Sequence, residues 1–342
     1  MAPLSELPAP PDGKTGWPWT EAPDPVSPSP AGGGEWPVIT IVSPSYNQGQ
    51  FIEETIRSVL LQGYPNLEYI VMDGQSNDGT VEILEKYDPW IDYWQSESDD
   101  GQSSAINRGF RRASGDVGTW LNSDDVFFPE TLRTVGGYFA DRPGSKFLTG
   151  DGILTDASLE KQLHVQQPSS YTRAELLNYP GGQYLPQPSV FFSTALFNRI
   201  GGVREDLRYT MDLDLWIRMR ERARLHYLPQ RLSITRQHAE TKTHGENQKA
   251  LREAGAVICH HASSLASPYV LSILARLQAR RAEGLVSQAL DWHFDGKSSA
   301  AAFLLFRAAY QCPPIVFSKA WLSVAGRLVL PLPVQRLLLN RI

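Results

Sequence analysis

The stretch Ile39-Thr40-Ile41-Val42, running into Pro44-Ser45-Tyr46-Asn47, reads as a buried strand that ends in a polar turn. Beyond it Ile52, Ile56, Val59 and Leu60 recur at helical spacing, and Leu67 to Met72 forms a second apolar run. Asn77-Asp78-Gly79-Thr80 then opens a helix carrying Val81, Ile83 and Leu84. Tyr93-Trp94 and Val117 to Leu121 are further strands, separated by a helix from Ser103 to Arg112. Strand and helix in alternation imply an α/β fold with a largely parallel sheet covered on both faces. Ligands of such sheets bind at the carboxyl ends of the strands.

Polar residues gather at those ends. Pro44-Ser45-Tyr46-Asn47 follows the first strand, Asp73 the second, Glu97-Ser98-Asp99-Asp100 the third and Asn122-Ser123-Asp124-Asp125 the fourth. Turns and helix caps use the same residue types, and that explains Asp78 and Asp100. An aromatic beside an amide, and two adjacent acids after a buried run, exceed what turns require.

The chain has 342 residues, about two domains by length. With 42% hydrophobic and 20% charged residues, it is not disordered as a whole. A formal charge of −5 gives no electrostatic reason to expect nucleic acid as a partner. Two cysteines make neither a disulfide framework nor a four-cysteine zinc site, and a reducing cytoplasm is the expected location.

Three segments are expected. Residues 1–37 hold ten of the 25 prolines and no apolar periodicity, which reads as a disordered leader without a secretory signal. Residues 38–263 form the α/β domain. Residues 264–342 carry nine Lys/Arg against three Asp/Glu and read as a helical extension, with helices at 269–285 and 300–310. Its Leu328–Val334 run is broken by two prolines and too short to span a membrane. Leu337-Leu338-Leu339 among Arg327, Arg336 and Arg341 would suit peripheral contact with an anionic membrane, or packing on protein.

From Val38 to Asp125, and on to about His238, the ordered motifs resemble family 2 glycosyltransferases, inverting enzymes of GT-A fold. The resemblance implies a nucleotide-sugar-binding sheet flanked by helices, a UDP-sugar donor, and a hydroxyl of a glycan or lipid-linked acceptor. Pro44, Ser45, Tyr46 and Asn47 match the first loop, whose tyrosine lies against the nucleotide base. Asp73 matches the acid that reads the uracil or ribose, with Gly74 where many members have a second acid. Asn122-Ser123-Asp124-Asp125 matches the metal-binding Asp-x-Asp motif, with asparagine first. This makes Asp124 the first-choice ligand of Mn²⁺ or Mg²⁺ and Asp125 a ligand of metal or sugar; Asn122 offers only a neutral oxygen. Such a cation neutralises charge developing on a diphosphate leaving group.

Ser96 to Asn107 resembles a segment of the branch acting on surface and lipid-linked glycans, which places Glu97 and Asn107 near the donor; Ile106 stands where other branches have arginine. Thr210 to Arg218 resembles the acidic motif that opens a helix and supplies the general base. Asp212 is the expected base, with Asp214 two residues on pointing elsewhere. Gln187-Pro188-Ser189 matches the strand lining the acceptor side, and Arg236-Gln237-His238 a late loop over the diphosphate, in which His238 would complete the metal shell. A contrasting reading, encouraged by Asn122 and Gly74, is a non-catalytic glycan-binding or scaffold protein on the same fold. A nucleotidyltransferase would need a Gly-rich basic loop after the first strand, which is absent.

Overall fold

A computed structural model describes residues 3–262 except 170, 180, 181, 183, 239 and 240, together with 278–279, 282–283 and 285–288. Two compact units are present, one comprising the chain up to Leu176 and Gln183–His244, the other Leu177–Gly182 and the chain from Gly245 onward. The division falls at 244, within the helix Lys242–Ala262. The helices expected after 264 lie largely, and the Leu337–Leu339 tail wholly, outside the described residues.

The first unit is built on a nine-stranded sheet. Its first half alternates as expected: β1 (Ile39–Ser45), α1 (Ile52–Leu60), β2 (Leu67–Asp73), α2 (Thr80–Tyr87), β3 (Tyr93–Ser96), α3 (Gln102–Arg112) and β4 (Val117–Trp120). These four strands are parallel, in the order β3-β2-β1-β4. Ile39, Ile41, Tyr69 and Val71 face one side and join a core with Ile56, Val59 and Leu84 of α1 and α2. Val42 faces the other side, where α3 approaches so closely that a Cβ at Gly109 would lie 2.4 Å from Val42 Cγ1.

The second half departs from the expected parallel sheet. After β5 (Val126–Phe127) and α4 (Thr131–Asp141) come β6 (Phe147–Thr155), β7 (Gln162–Gln166), α5 (Arg173–Leu177), β8 (Val190–Ser193), α6 (Thr194–Arg199), α7 (Met211–Arg222) and β9 (His226–Arg236); α8 (Lys242–Ala262) follows, most of it assigned to the second unit. β8 is antiparallel to both β4 and β6, and β9 runs parallel to β6 and antiparallel to β5. The fold is therefore a mixed α/β sheet flanked by helices.

The leader is the second correction: residues 3–37 are packed on the domain. The Arg57 guanidinium, itself buried, donates to the carbonyls of Pro8, Pro18 and Trp19 at 2.9–3.0 Å. The indoles of Trp17 and Trp90 donate to Phe127 O (2.8 Å) and Pro3 O (3.0 Å), and Trp19 and Trp36 are buried. Large aromatic surfaces and indole N–H donors give a proline-rich chain the anchoring that its missing periodicity would otherwise deny it. Among the described residues no helix is long and apolar enough to cross a membrane.

Candidate active site

Parallel register sets Ser45 opposite Asp73, and Asp73 opposite Ser96, in one row at the carboxyl edge. β4 joins them there, with Leu121 N–H donating to Val42 O (3.0 Å). The first loop is pinned to the turn after β2. Asn47, left-handed at φ 52°, donates its N–H to Ser76 Oγ (2.7 Å) and accepts at Oδ1 from Asn77 N–H (3.1 Å). Gly49 N–H donates to Asp78 Oδ2 (2.7 Å), and a Cβ there would lie 2.5 Å from Asp78 O, so glycine is required for the approach. Asp78 also caps α2 through Thr80, which fits its reading as a turn residue.

Tyr46 stands 63% exposed at this edge. Its ring flanks Gly74, where a Cβ would lie 3.3 Å from Tyr46 Cδ2 and 3.5 Å from both Asp99 carboxylate oxygens. Ser45 Oγ and Gln48 Oε1 are buried without a hydrogen-bond partner, so the first loop holds two orphaned polar atoms. Asp73 is buried and accepts from Ser76 N–H (2.9 Å), Ser76 Oγ (2.5 Å) and Ser96 Oγ (2.6 Å). Its carboxylate holds the loop that frames the edge.

The two adjacent acids diverge. Asp124 Oδ2 lies 3.0 Å from His238 Nε2, with 20% and 7% of the side chains exposed. Asp125 turns inward, its Oδ2 accepting from Asn122 Nδ2 (3.0 Å) and its Oδ1 from Arg236 N–H (3.1 Å). Burial, then the neighbouring Asp124 charge, push its carboxyl well above the usual range. Both oxygens of Asp125, expected to bind metal or sugar, are thus engaged within the protein. Asn122 accepts at Oδ1 from Gln102 Nε2 (2.6 Å) and donates to Gln187 Oε1 (3.3 Å), while Gln187 Nε2 donates to Trp120 O (2.8 Å). Asn122 therefore ties α3, the acid loop and the turn before β8 together.

Asp124 Oδ2 and His238 Nε2 lie at hydrogen-bond distance, and the same pair could hold a divalent cation. Two ligand atoms each about 2.1 Å from an octahedral ion, at a right angle, are separated by about 3.0 Å, which is the spacing found. Among the described residues no group of three His, Cys, Asp or Glu side chains gathers to cage an ion. A site of two protein ligands leaves positions for substrate oxygens.

Asn107 and Glu97, expected near the donor, make contacts within the protein. Asn107 Oδ1 accepts from Val203 N–H (3.0 Å), and its Nδ2 donates to Val203 O (2.9 Å) and Glu205 Oε1 (2.8 Å). It clamps the loop before α7. Glu97 is solvent-facing and pairs with Arg108 Nη2 (3.0 Å).

α7 brings the expected base. Trp216 stacks on Trp120 at the end of β4, ring centroids 5.3 Å apart. Asp212 shares that helix face one turn earlier. Asp214 is fully buried, paired with Arg218 Nε (2.7 Å) and with Arg204 Nη1 (3.8 Å), while Arg218 also donates to Ile200 O and Gly202 O. Asp212 is only half-buried, and its Oδ1 accepts from Leu213 N–H (2.7 Å).

Sequence reasoning missed Glu54 and Phe51. Arg236 Nη2 donates to Glu54 Oε2 (2.8 Å) and Nε to Asp124 O (2.9 Å), and its guanidinium lies 4.5 Å from the Phe51 ring centre. Phe51 also neighbours His238, at 4.8 Å between ring centroids. Glu54 lies on the side of α1 away from Ile52, Ile56 and Val59, among Arg57 and Ser58, so the apolar periodicity gave no signal for it.

The family model "Glycosyl transferase family 2" matches residues 40–197. An uncharacterized glycosyltransferase of Mycobacterium tuberculosis is 30% identical over 184 residues, covering 53% of this chain and 68% of its own. The putative teichuronic acid biosynthesis glycosyltransferase TuaG of Bacillus subtilis is 32% identical over 143 residues, 40% of this chain and 57% of its own. Among solved structures, S. aureus TarS 1–349 with UDP-GlcNAc superposes at TM-score 0.57 and 17% identity, covering 84% of this chain and 86% of that one. The chain spans half of a longer TarS chain. The mannosyltransferase PcManGT of Pyrobaculum calidifontis, with GDP-Man and Mn²⁺, superposes at TM-score 0.51 and 19% identity, covering 94% and 83%. The parallel strands with their polar carboxyl edge, the fold likeness and these matches agree: the chain belongs to glycosyltransferase family 2.

Proposed function

We propose that the protein transfers a sugar from a UDP-sugar, with inversion and with a divalent cation, to a hydroxyl of a glycan or lipid-linked acceptor. The observation that carries this is the Asp124–His238 pair at the carboxyl edge of β4, beside a first loop bearing the exposed Tyr46. Asp124 and His238 would hold the ion, which would stabilise negative charge on the departing diphosphate. A carboxylate with an imidazole suits Mn²⁺ better than Mg²⁺. Tyr46 offers its face to the base, and Asp73 keeps the neighbouring turn in shape.

Asp212 takes the proton of the acceptor hydroxyl as that oxygen bonds to the anomeric carbon. The bond from this carbon to the diphosphate oxygen breaks, and the electron pair leaves with the nucleoside diphosphate. One in-line displacement inverts the centre and needs one base. Asp214, locked between arginines, serves the fold. The TuaG likeness supports a cell-surface polysaccharide as the acceptor class. A cytoplasmic site of reaction, with the basic tail against an anionic membrane, belongs to the same proposal and rests on the charge pattern after residue 264.

Thermal shift of the full chain against a panel including UDP-GlcNAc and GDP-Man, with and without Mn²⁺, tests the reading, since a ligand that binds only the folded state raises the melting temperature. A rise with UDP-sugars that needs Mn²⁺ is expected; none with any donor would reject it. Mn²⁺-dependent hydrolysis of the bound donor separates an enzyme from the non-catalytic alternative that Asn122 and Gly74 favour.

A further inference from the structure

We infer that the proline-rich leader is part of the donor site's scaffold, and that Trp19 is a positioning residue for Asp124 acting through Glu54 and Arg236. The inference rests on the reading of Asp124 as the metal ligand. Three hydrogen bonds join these groups in series. Trp19 Nε1 donates to Glu54 Oε1 at 2.9 Å. The other oxygen, Glu54 Oε2, accepts from Arg236 Nη2 at 2.8 Å, and Arg236 Nε donates to the backbone carbonyl of Asp124 at 2.9 Å.

Each member is buried, with Trp19 7%, Glu54 9% and Arg236 3% exposed. In such surroundings a carboxylate and a guanidinium hold fixed geometry only if their remaining hydrogen-bonding sites are satisfied. Trp19 fills one side of Glu54. Arg236 has its further donor on Ala157 O (2.8 Å) and its face on Phe51, which in turn abuts His238. The cation is therefore oriented from three directions, and its backbone N–H and side chain grip both members of the Asp124-Asp125 pair.

The leader is itself held hard. Lys14 and Arg57 lie 5.4 and 5.5 Å from the Trp19 ring centre, and Arg57 binds the carbonyls on either side of Trp19, those of Pro18 and Trp19. A second strap reaches the same loop, because Trp17 Nε1 donates to Phe127 O, two residues after Asp125. α1 supplies a third, Thr55 Oγ1 donating to Asp125 O at 2.8 Å. Two of the leader's hydrogen bonds, from Trp17 and Trp19, thus end on the acid loop or on a group that fixes it.

The test is Mn²⁺ titrated into the full chain with saturating UDP, bound ion being read from loss of the free-Mn²⁺ electron paramagnetic resonance signal. Trp19→Phe keeps an aromatic ring beneath its cations and removes the donor together with part of the indole's volume, and Glu54→Gln reports on the same series with the leader's own residues unchanged. Each should weaken Mn²⁺ binding about tenfold, the usual scale for groups that orient a ligand from behind; Glu54→Gln, which leaves the buried Arg236 short of its carboxylate, should also lower the melting temperature more than Trp19→Phe, so binding is compared at a temperature where both variants are folded. Because Trp19 acts through Glu54, the double variant should bind no more weakly than Glu54→Gln alone. Wild-type affinity in both single variants, or losses that multiply in the double variant, would overturn the inference. Asp124→Ala is the reference arm. If it abolishes binding while Trp19→Phe and Glu54→Gln do not weaken it, the brace alone falls; if Asp124→Ala binds as wild type, the metal assignment falls and the brace with it.

Discussion

His238 Nε2 and Asp124 Oδ2 stand 3.0 Å apart although 114 positions separate them in the chain. Their meeting depends on the antiparallel pairing of β5 with β9, with Val126 opposite Ile234, so that the residues before Val126 and those after Ile234 come to one place. His238 is then fixed by its own turn, its N–H donating to Thr241 Oγ1 (3.0 Å).

Removing either member should separate metal from nucleotide effects. Asp124→Ala is expected to abolish Mn²⁺-dependent UDP affinity with the fold intact, and His238→Ala to lower it about tenfold. Calorimetric titration of UDP with and without Mn²⁺ measures both. An unchanged Mn²⁺ dependence in folded Asp124→Ala would reassign the ion.

Asn107 gives an opposite kind of prediction. With three hydrogen bonds to Val203 and Glu205, Asn107→Ala should cost about 1–3 kcal/mol of stability and leave UDP affinity close to wild type. A large loss of UDP affinity at unchanged stability would return Asn107 to the donor side. Chemical denaturation and the same titration decide it.

What could be read in the sequence follows from locality. Buried parallel strands alternating with amphipathic helices leave a periodic trace, so β1 to β4 and the polar residues ending them were legible. β6 was not, because Gly150, Asp151 and Gly152 interrupt its apolar run, and its pairing with β8 and β9 is set by residues far along the chain. The leader was misread for a related reason. Proline content hid three tryptophans, Trp17, Trp19 and Trp36, a composition unlike that of disordered segments. Nor could the sequence say which of two adjacent acids faces solvent, since Asp125 is drawn inward by the Arg236 backbone 111 positions away.

Glu68 should carry part of the acid sensitivity. Burial pushes its carboxyl up, but hydrogen bonds from Thr40, Ser114 and Gly115 together outweigh this and hold it below the usual glutamate value. A depressed carboxyl stabilises the fold above its unfolded-state value, near 4.3 for glutamate, and loses that contribution as pH falls through the folded value. Glu68→Gln should therefore be less stable than wild type at pH 7, with the gap closing below about pH 4. Melting temperatures from pH 7 to pH 3 would show it; a gap constant with pH would mean that shape and not charge matters at this position.

The base assignment turns on two carboxylates two residues apart. Asp214 is 0% exposed and paired with Arg218, so Asp214→Asn leaves a cation short of its partner and should destabilise the fold by about 3 kcal/mol. Asp212 is half-buried on the face that Trp216 stacks against Trp120, so Asp212→Asn should leave stability nearly unchanged. Transfer should respond the other way, Asp212→Asn reducing kcat by roughly 10² to 10⁴ with donor affinity retained. At a temperature where Asp214→Asn remains folded, its kcat should stay within about tenfold of wild type, since a packing defect is not a missing proton acceptor. The pH profile completes the separation, because loss of the base removes the acidic limb of kcat, whereas a stability defect leaves it in place. Should folded Asp214→Asn lose transfer and Asp212→Asn keep it, the roles would be exchanged, and the Arg204 and Arg218 contacts would have to release Asp214 when acceptor binds.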